Sequence, residues 1–126
     1  MRDKVVDASV LAAFAFQEPQ AREAGALLKN SRLFAPTLLP YELASISRKK
    51  SALHPDKRAL ILDALDICLD MDITLAEPEY RELSLLSLET GLTVYDSAYL
   101  WLARSLSIEL ITFDKRLSAF ASTKSG

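Results

Sequence analysis

The sequence predicts an α/β domain built on a mostly parallel sheet covered on both faces. Three observations lead there. Short apolar or β-branched runs, "KVV", "RLFA", "DITLA" and "IELITFD", alternate with segments of helical periodicity. The chain has 126 residues, 50% of them hydrophobic, which suffices for the core of one compact domain. No internal repeat, low-complexity segment or linker interrupts it, so residues 1–121 are expected to form a single domain and 122–126 a frayed tail.

Each element has its own sequence signal. Val5 and Val6 read as the first strand and Val10 onward turns helical, which places Asp7 at the junction. "VLAAFAF" is closed by Glu18-Pro19, and a helix is predicted from Pro19 to about Lys29 with Ala24, Leu27 and Leu28 on its inner side. After the strand "RLFA", Thr37 is the expected cap of a helix that tolerates Pro40 in its first turn, so Glu42 lies in the first turn or two. A helix near residues 56–70 carries Ile61, Leu65, Cys68 and Leu69 at helical spacing, and "DITLA" follows as a strand. Pro78 opens the next helix, and Gly91 stops it in a left-handed conformation. In "TVYDSAYLWLARSLS", Tyr95, Ala98, Tyr99, Leu102 and Leu106 form one apolar stripe with Asp96 one step around from it. The last clear strand, "IELITFD", ends at Asp114, and "KRLSAFA" returns to helix.

Composition excludes several classes of function. No apolar run of about 18 residues calls for a membrane, and "MRDKVVDASV" lacks the charged and apolar regions of a secretory signal, so a cytoplasmic protein is expected. Cys68 is the only cysteine and His54 the only histidine, which removes internal disulfides, zinc clusters and any site needing two imidazoles. His54 sits in the helix-breaking "ALHPDK", a poor place for the base of a Ser-His-Asp triad. The net charge of −2 neither requires nor forbids a polyanionic partner, but Arg48, Lys49 and Lys50, with Lys57 and Arg58, are clustered, and Lys115 and Arg116 directly follow Asp114. Cations at helix ends are the plainer reading of the first cluster.

Four carboxylates then stand out. In open α/β sheets ligands gather beyond the carboxyl ends of the strands. Asp7 and Asp114 are expected at such ends, and Glu42 and Asp96 in early helical turns on the same side. Each alone is explained by a cap, a turn or an exposed helix position. Together, each among apolar neighbours, they point to one pocket in which like charges raise one another's pKa unless a cation neutralises them. Oxygen ligands without His or Cys suit Mg²⁺ or Mn²⁺, and such an ion can activate water towards a phosphodiester without a histidine base.

The segments "VVDASVL", "PYELAS", "TVYDSAYLWLA" and "LITFDKRL" carry these acids in order. Over residues 4 to about 120 the chain resembles the PIN-domain nucleases, and most closely the VapC-type ribonuclease toxins of prokaryotic toxin–antitoxin pairs. The resemblance implies a three-layer α/β/α fold on a mostly parallel sheet of four to five strands, and metal-dependent endonucleolytic cleavage of RNA. The family's short final strand has little counterpart in "FASTKSG". By the same resemblance Asp7 and Asp96 are the principal metal ligands, with Glu42 and Asp114 completing the pocket directly or through water. Ser9 and Thr112 match small hydroxyl positions that hold a carboxylate or a metal-bound water; local turn hydrogen bonds are their other reading. Arg48, Lys49, Lys50, Lys115 and Arg116 are the candidates for RNA phosphate contact.

Implied partners are an RNA substrate, a small antitoxin protein and a second copy of the chain in a homodimer. "VLAAFAF" and Trp101 are either core or an interaction face. Rival readings are weaker or narrower. A HAD-type phosphatase needs an acid where Ser9 stands, and a Rossmann binder needs glycines that "DASVLAAF" lacks. A non-catalytic PIN-like binding or scaffold module and a PIN nuclease of general RNA processing both stay open.

Overall fold

A computed structural model of the chain describes residues 1–121, so the expected tail at 122–126 lies outside the described residues. The order is β1 (Arg2–Val6), α1 (Ala8–Ala15), α2 (Ala21–Leu28), β2 (Ser31–Pro36), α3 (Leu39–Leu53), α4 (Arg58–Leu69), β3 (Ile73–Ala76), α5 (Tyr80–Thr90), α6 (Val94–Leu106), β4 (Glu109–Ile111) and α7 (Lys115–Ala121). Among the described residues four strands form one sheet in the order β3-β2-β1-β4, and every pairing is parallel. Val5 sits opposite Phe34 and Leu110, and Val6 opposite Ile111.

The order explains the layers. Two steps, β1 to β2 and β2 to β3, move the same way across the sheet, and right-handed crossovers put α1 to α4 on one face. The return from β3 to β4 reverses direction, so α5 and α6 cover the other. This is the three-layer α/β/α arrangement. Central β1 is buried on both sides, with Val5 and Val6 fully enclosed, as a strand between two helical layers must be. Lys4, also buried on β1, donates from Nζ to the Leu27 carbonyl at 2.6 Å and so caps an orphan carbonyl at the end of α2.

Several local expectations need correction. Thr37 does not cap α3: its N–H donates to the Ala76 carbonyl across the strand ends, and Leu38 stands at the cap position without a side-chain hydrogen bond. Pro40 does sit in the first turn, where no partner is lost. Helix α5 begins at Tyr80 and not at Pro78, because the Glu79 carboxylate accepts from the Arg81 N–H and caps it. A 3₁₀ turn at Pro55–Lys57 precedes α4, which starts at Arg58. Ala98, Tyr99 and Leu102 are buried on α6, but Tyr95 and Leu106, at the ends of the expected stripe, are exposed. Most of "VLAAFAF" is core, with Val10, Leu11, Ala12 and Ala13 buried. Gly91 takes the left-handed conformation expected of it, with φ +76°.

Candidate active site

The sheet reverses its winding between β1 and β4, and the crevice at their carboxyl ends is where Asp7 and Asp114 are found. Asp7 is the first residue after β1, and its extended backbone makes it the cap of α1. Both of its oxygens are engaged. Oδ1 accepts from the Ser9 N–H at 3.1 Å and from the Ser9 hydroxyl at 2.6 Å, and Oδ2 accepts from the Thr112 hydroxyl at 2.7 Å. The same hydroxyls reach the loop after β4: Ser9 Oγ accepts from the Phe113 N–H at 2.9 Å and Thr112 Oγ1 from the Asp114 N–H at 3.0 Å. Asp114 then caps α7, its Oδ1 accepting from the Leu117 N–H at 2.9 Å. One hydroxyl network therefore sets the positions of two acids 107 residues apart in the chain.

The other two acids enter from helix starts. Thr93 caps α6 by accepting the Asp96 N–H at 3.0 Å, which places Asp96 in the first turn. Glu42 lies in the first turn of α3, and its Oε1 accepts a 2.5 Å hydrogen bond from the hydroxyl of Tyr99 on α6. The sequence had assigned Tyr99 to the apolar stripe only. A tyrosine among leucines carries no sign of which carboxylate its hydroxyl will meet.

The four acids share one electrostatic environment. Burial raises the pKa of Asp7, and the hydrogen bonds from Ser9 and Thr112 oppose that rise. Burial also raises Glu42, helped by the charges of Asp96 and Asp7. Asp96 is raised by burial and by Asp114, against the Thr93 cap and the nearby Arg116 guanidinium. The Tyr99 hydroxyl, buried among Glu42, Asp7 and Asp96, is pushed far above its ordinary value and stays a donor. Among the described residues, however, no three acidic, histidine or cysteine side chains stand close enough to form a ready-made metal cage. The carboxylates face one another at Coulombic range and not at chelating range. The donor set is all oxygen, mutually repelling and short of protein cations, and it fits a hard divalent ion.

The basic candidates divide. Lys50 pairs with Glu18 at 2.5 Å and lies 5.7 Å from the Phe16 ring centre, so it ties α3 to the end of α1. Arg48 and Lys49 are exposed further along α3. Arg116 donates to the Gly91 carbonyl at 2.9 Å and reaches Asp96 electrostatically, whereas Lys115 is exposed. Trp101 is half-buried and donates from Nε1 to Glu82 at 2.7 Å. Tyr41 and Tyr95, next in sequence to Glu42 and Asp96, line a groove of about 440 Å³ with Tyr80 from the start of α5. Nothing in the linear order distinguishes these exposed rings from core tyrosines.

Comparison with known proteins gives four findings. The chain is similar to ribonuclease VapC3 of Pyrobaculum aerophilum, 29% identical over 119 residues, covering 90% of this chain and 91% of that protein. The fold is similar to the crystal structure of PAE2754 from the same organism, with TM-score 0.77, 27% identity and coverage of 96% of this chain and 86% of that one. It is also similar in fold to VapC20 of Mycobacterium tuberculosis, described as a toxin that cleaves the sarcin–ricin loop, with TM-score 0.70, 15% identity and coverage of 96% and 97%. The family model described as the PIN domain matches residues 4–122. The chain belongs to the PIN-domain family.

Proposed function

We propose that the protein is a metal-dependent endoribonuclease that hydrolyses RNA phosphodiester bonds, acting as the toxin of a VapBC-type pair. The observation that carries this reading is the meeting of Asp7, Glu42, Asp96 and Asp114 at the switch point of a PIN fold. Similarity to a ribonuclease over nine-tenths of the chain supports the substrate class.

Asp7 and Asp96 would hold Mg²⁺ or Mn²⁺, with Glu42 and Asp114 completing the pocket. When bound, such an ion supplies an activated water and stabilises charge on the phosphodiester and its leaving oxygen. The chain's own residues supply position. Ser9 and Thr112 hold Asp7 from both oxygens, Thr93 orients the turn that carries Asp96, and the α7 cap holds Asp114. His54 ends α3, away from the helix's acid-bearing first turn, and takes no part. Arg48, Lys49, Lys115 and Arg116 offer charge to RNA phosphates that the acids would otherwise repel, while Lys50 is engaged by Glu18. A small antitoxin protein and a second copy of the chain are the expected protein partners.

A second reading, a PIN-like module that binds without cutting, draws on the absence of a preformed three-acid cage among the described residues. Calorimetry and cleavage separate the two. The nuclease reading expects Mn²⁺ uptake and Mg²⁺-dependent RNA cleavage, both lost or cut at least a hundredfold in Asp7→Asn and Asp96→Asn. Cleavage undiminished in both purified variants would end it.

A further inference from the structure

Tyr99 stands apart from the rest of the buried face of α6. Its ring is 1% exposed and packed in the core, yet its hydroxyl emerges among the acids and bonds Glu42 across 57 residues of sequence. Glu42 needs such a partner. It is half-buried in the first turn of α3, repelled by Asp7 and Asp96, and free to swing its long side chain away from both. A ring locked by packing can aim its hydroxyl at one place only. With Oε1 held by a donor, the carboxylate is oriented and Oε2 is left for another ligand.

We propose that Tyr99 is a positioning residue that holds the Glu42 carboxylate in the acidic pocket, against the repulsion of Asp7 and Asp96, ready to receive a divalent cation. The role rests on the metal-dependent reading above and adds a residue that acts through Glu42. Hydrogen-bonded supports of this kind typically contribute tenfold to a hundredfold in metal affinity.

The test is a double-mutant cycle read by Mn²⁺ calorimetry on the full chain. Tyr99→Phe keeps the ring in the core and removes only the donor. Mn²⁺ affinity should fall at least tenfold in Tyr99→Phe and in Glu42→Gln, and the double variant should bind no more than about twofold more weakly than Glu42→Gln alone. A merely structural tyrosine would lower the urea midpoint without this coupling. In the unaltered protein, the carboxyl carbon resonance of Glu42 should shift over the Mg²⁺ concentrations that saturate the site, a readout independent of whether the variants fold. Unchanged Mn²⁺ affinity in Tyr99→Phe, additive losses in the cycle or an unmoved Glu42 resonance overturns the role and leaves the nuclease reading intact. No Mn²⁺ uptake by the unaltered protein overturns both.

Discussion

Asp7 is a buried acid, 6% exposed. Three donors hold it, yet burial wins and its pKa stays raised, as do those of Glu42 and Asp96. Each of these carboxyls binds its proton more tightly in the folded chain than in the unfolded one. Their contribution to stability is thus fully present below the ordinary values of 3.8 for aspartate and 4.5 for glutamate, and is lost as pH rises through the raised folded values. Without metal, Asp7→Asn should therefore gain in thermal midpoint relative to the unaltered protein as pH is raised from about 4 to 7, and saturating Mg²⁺ should reverse that order at pH 7. Calorimetric melts across pH check both statements. Thr112→Val removes one of the donors to this buried carboxylate and should cost about 1–3 kcal/mol in urea unfolding. Cys68, buried at the inner side of α4 with its thiol pushed up to about 11, should resist thiol reagents until the protein unfolds.

Two helix starts decide where the acids point. The Thr93 cap sets the first turn of α6 and thereby the position of Asp96, so Thr93→Ala should cost about 1 kcal/mol of stability and weaken Mn²⁺ binding as well. Urea titration with calorimetry on the same samples tests the pair. Just before it, Gly91 ends α5 at φ +76°, where a side chain would meet no steric obstacle within 4 Å but the backbone itself is strained. Gly91→Ala should destabilise by about 1–2 kcal/mol through backbone strain alone. The Gly91 signal was legible in the sequence because left-handed turns are local chemistry, whereas the Thr93 cap emerged only with the structure. The wrongly assigned cap at Thr37 shows the limit: α3 is entered one residue later, at Leu38, while Thr37 continues the strand ends through its N–H to the Ala76 carbonyl, a pairing no local rule identifies.

Over the whole molecule, the topology brings the four acids together at one edge and leaves apolar side chains outside. Leu60 and Ile67 on α4 and Leu88 on α5 are 72%, 70% and 82% exposed. None of them belongs to "VLAAFAF", of which Val10, Leu11, Ala12 and Ala13 are core while Phe14 is 40% exposed. Light scattering of the purified chain at micromolar concentration is expected to give twice the chain mass, and a monomer there counts against the homodimer. No described helix is long and apolar enough to cross a membrane.

Taken alone, the sequence determined the alternation of strands and helices and the burial of β1, and singled out four candidate acids, because periodicity, turn residues and charge in an apolar setting act over a few residues. Tertiary structure decided what those acids touch. The Asp7–Thr112 and Glu42–Tyr99 hydrogen bonds join residues 105 and 57 positions apart, and the diversion of Lys50 to Glu18 and the exposure of Tyr95 arise the same way. Such contacts depend on how the layers close over the sheet, and local sequence chemistry does not encode that distance.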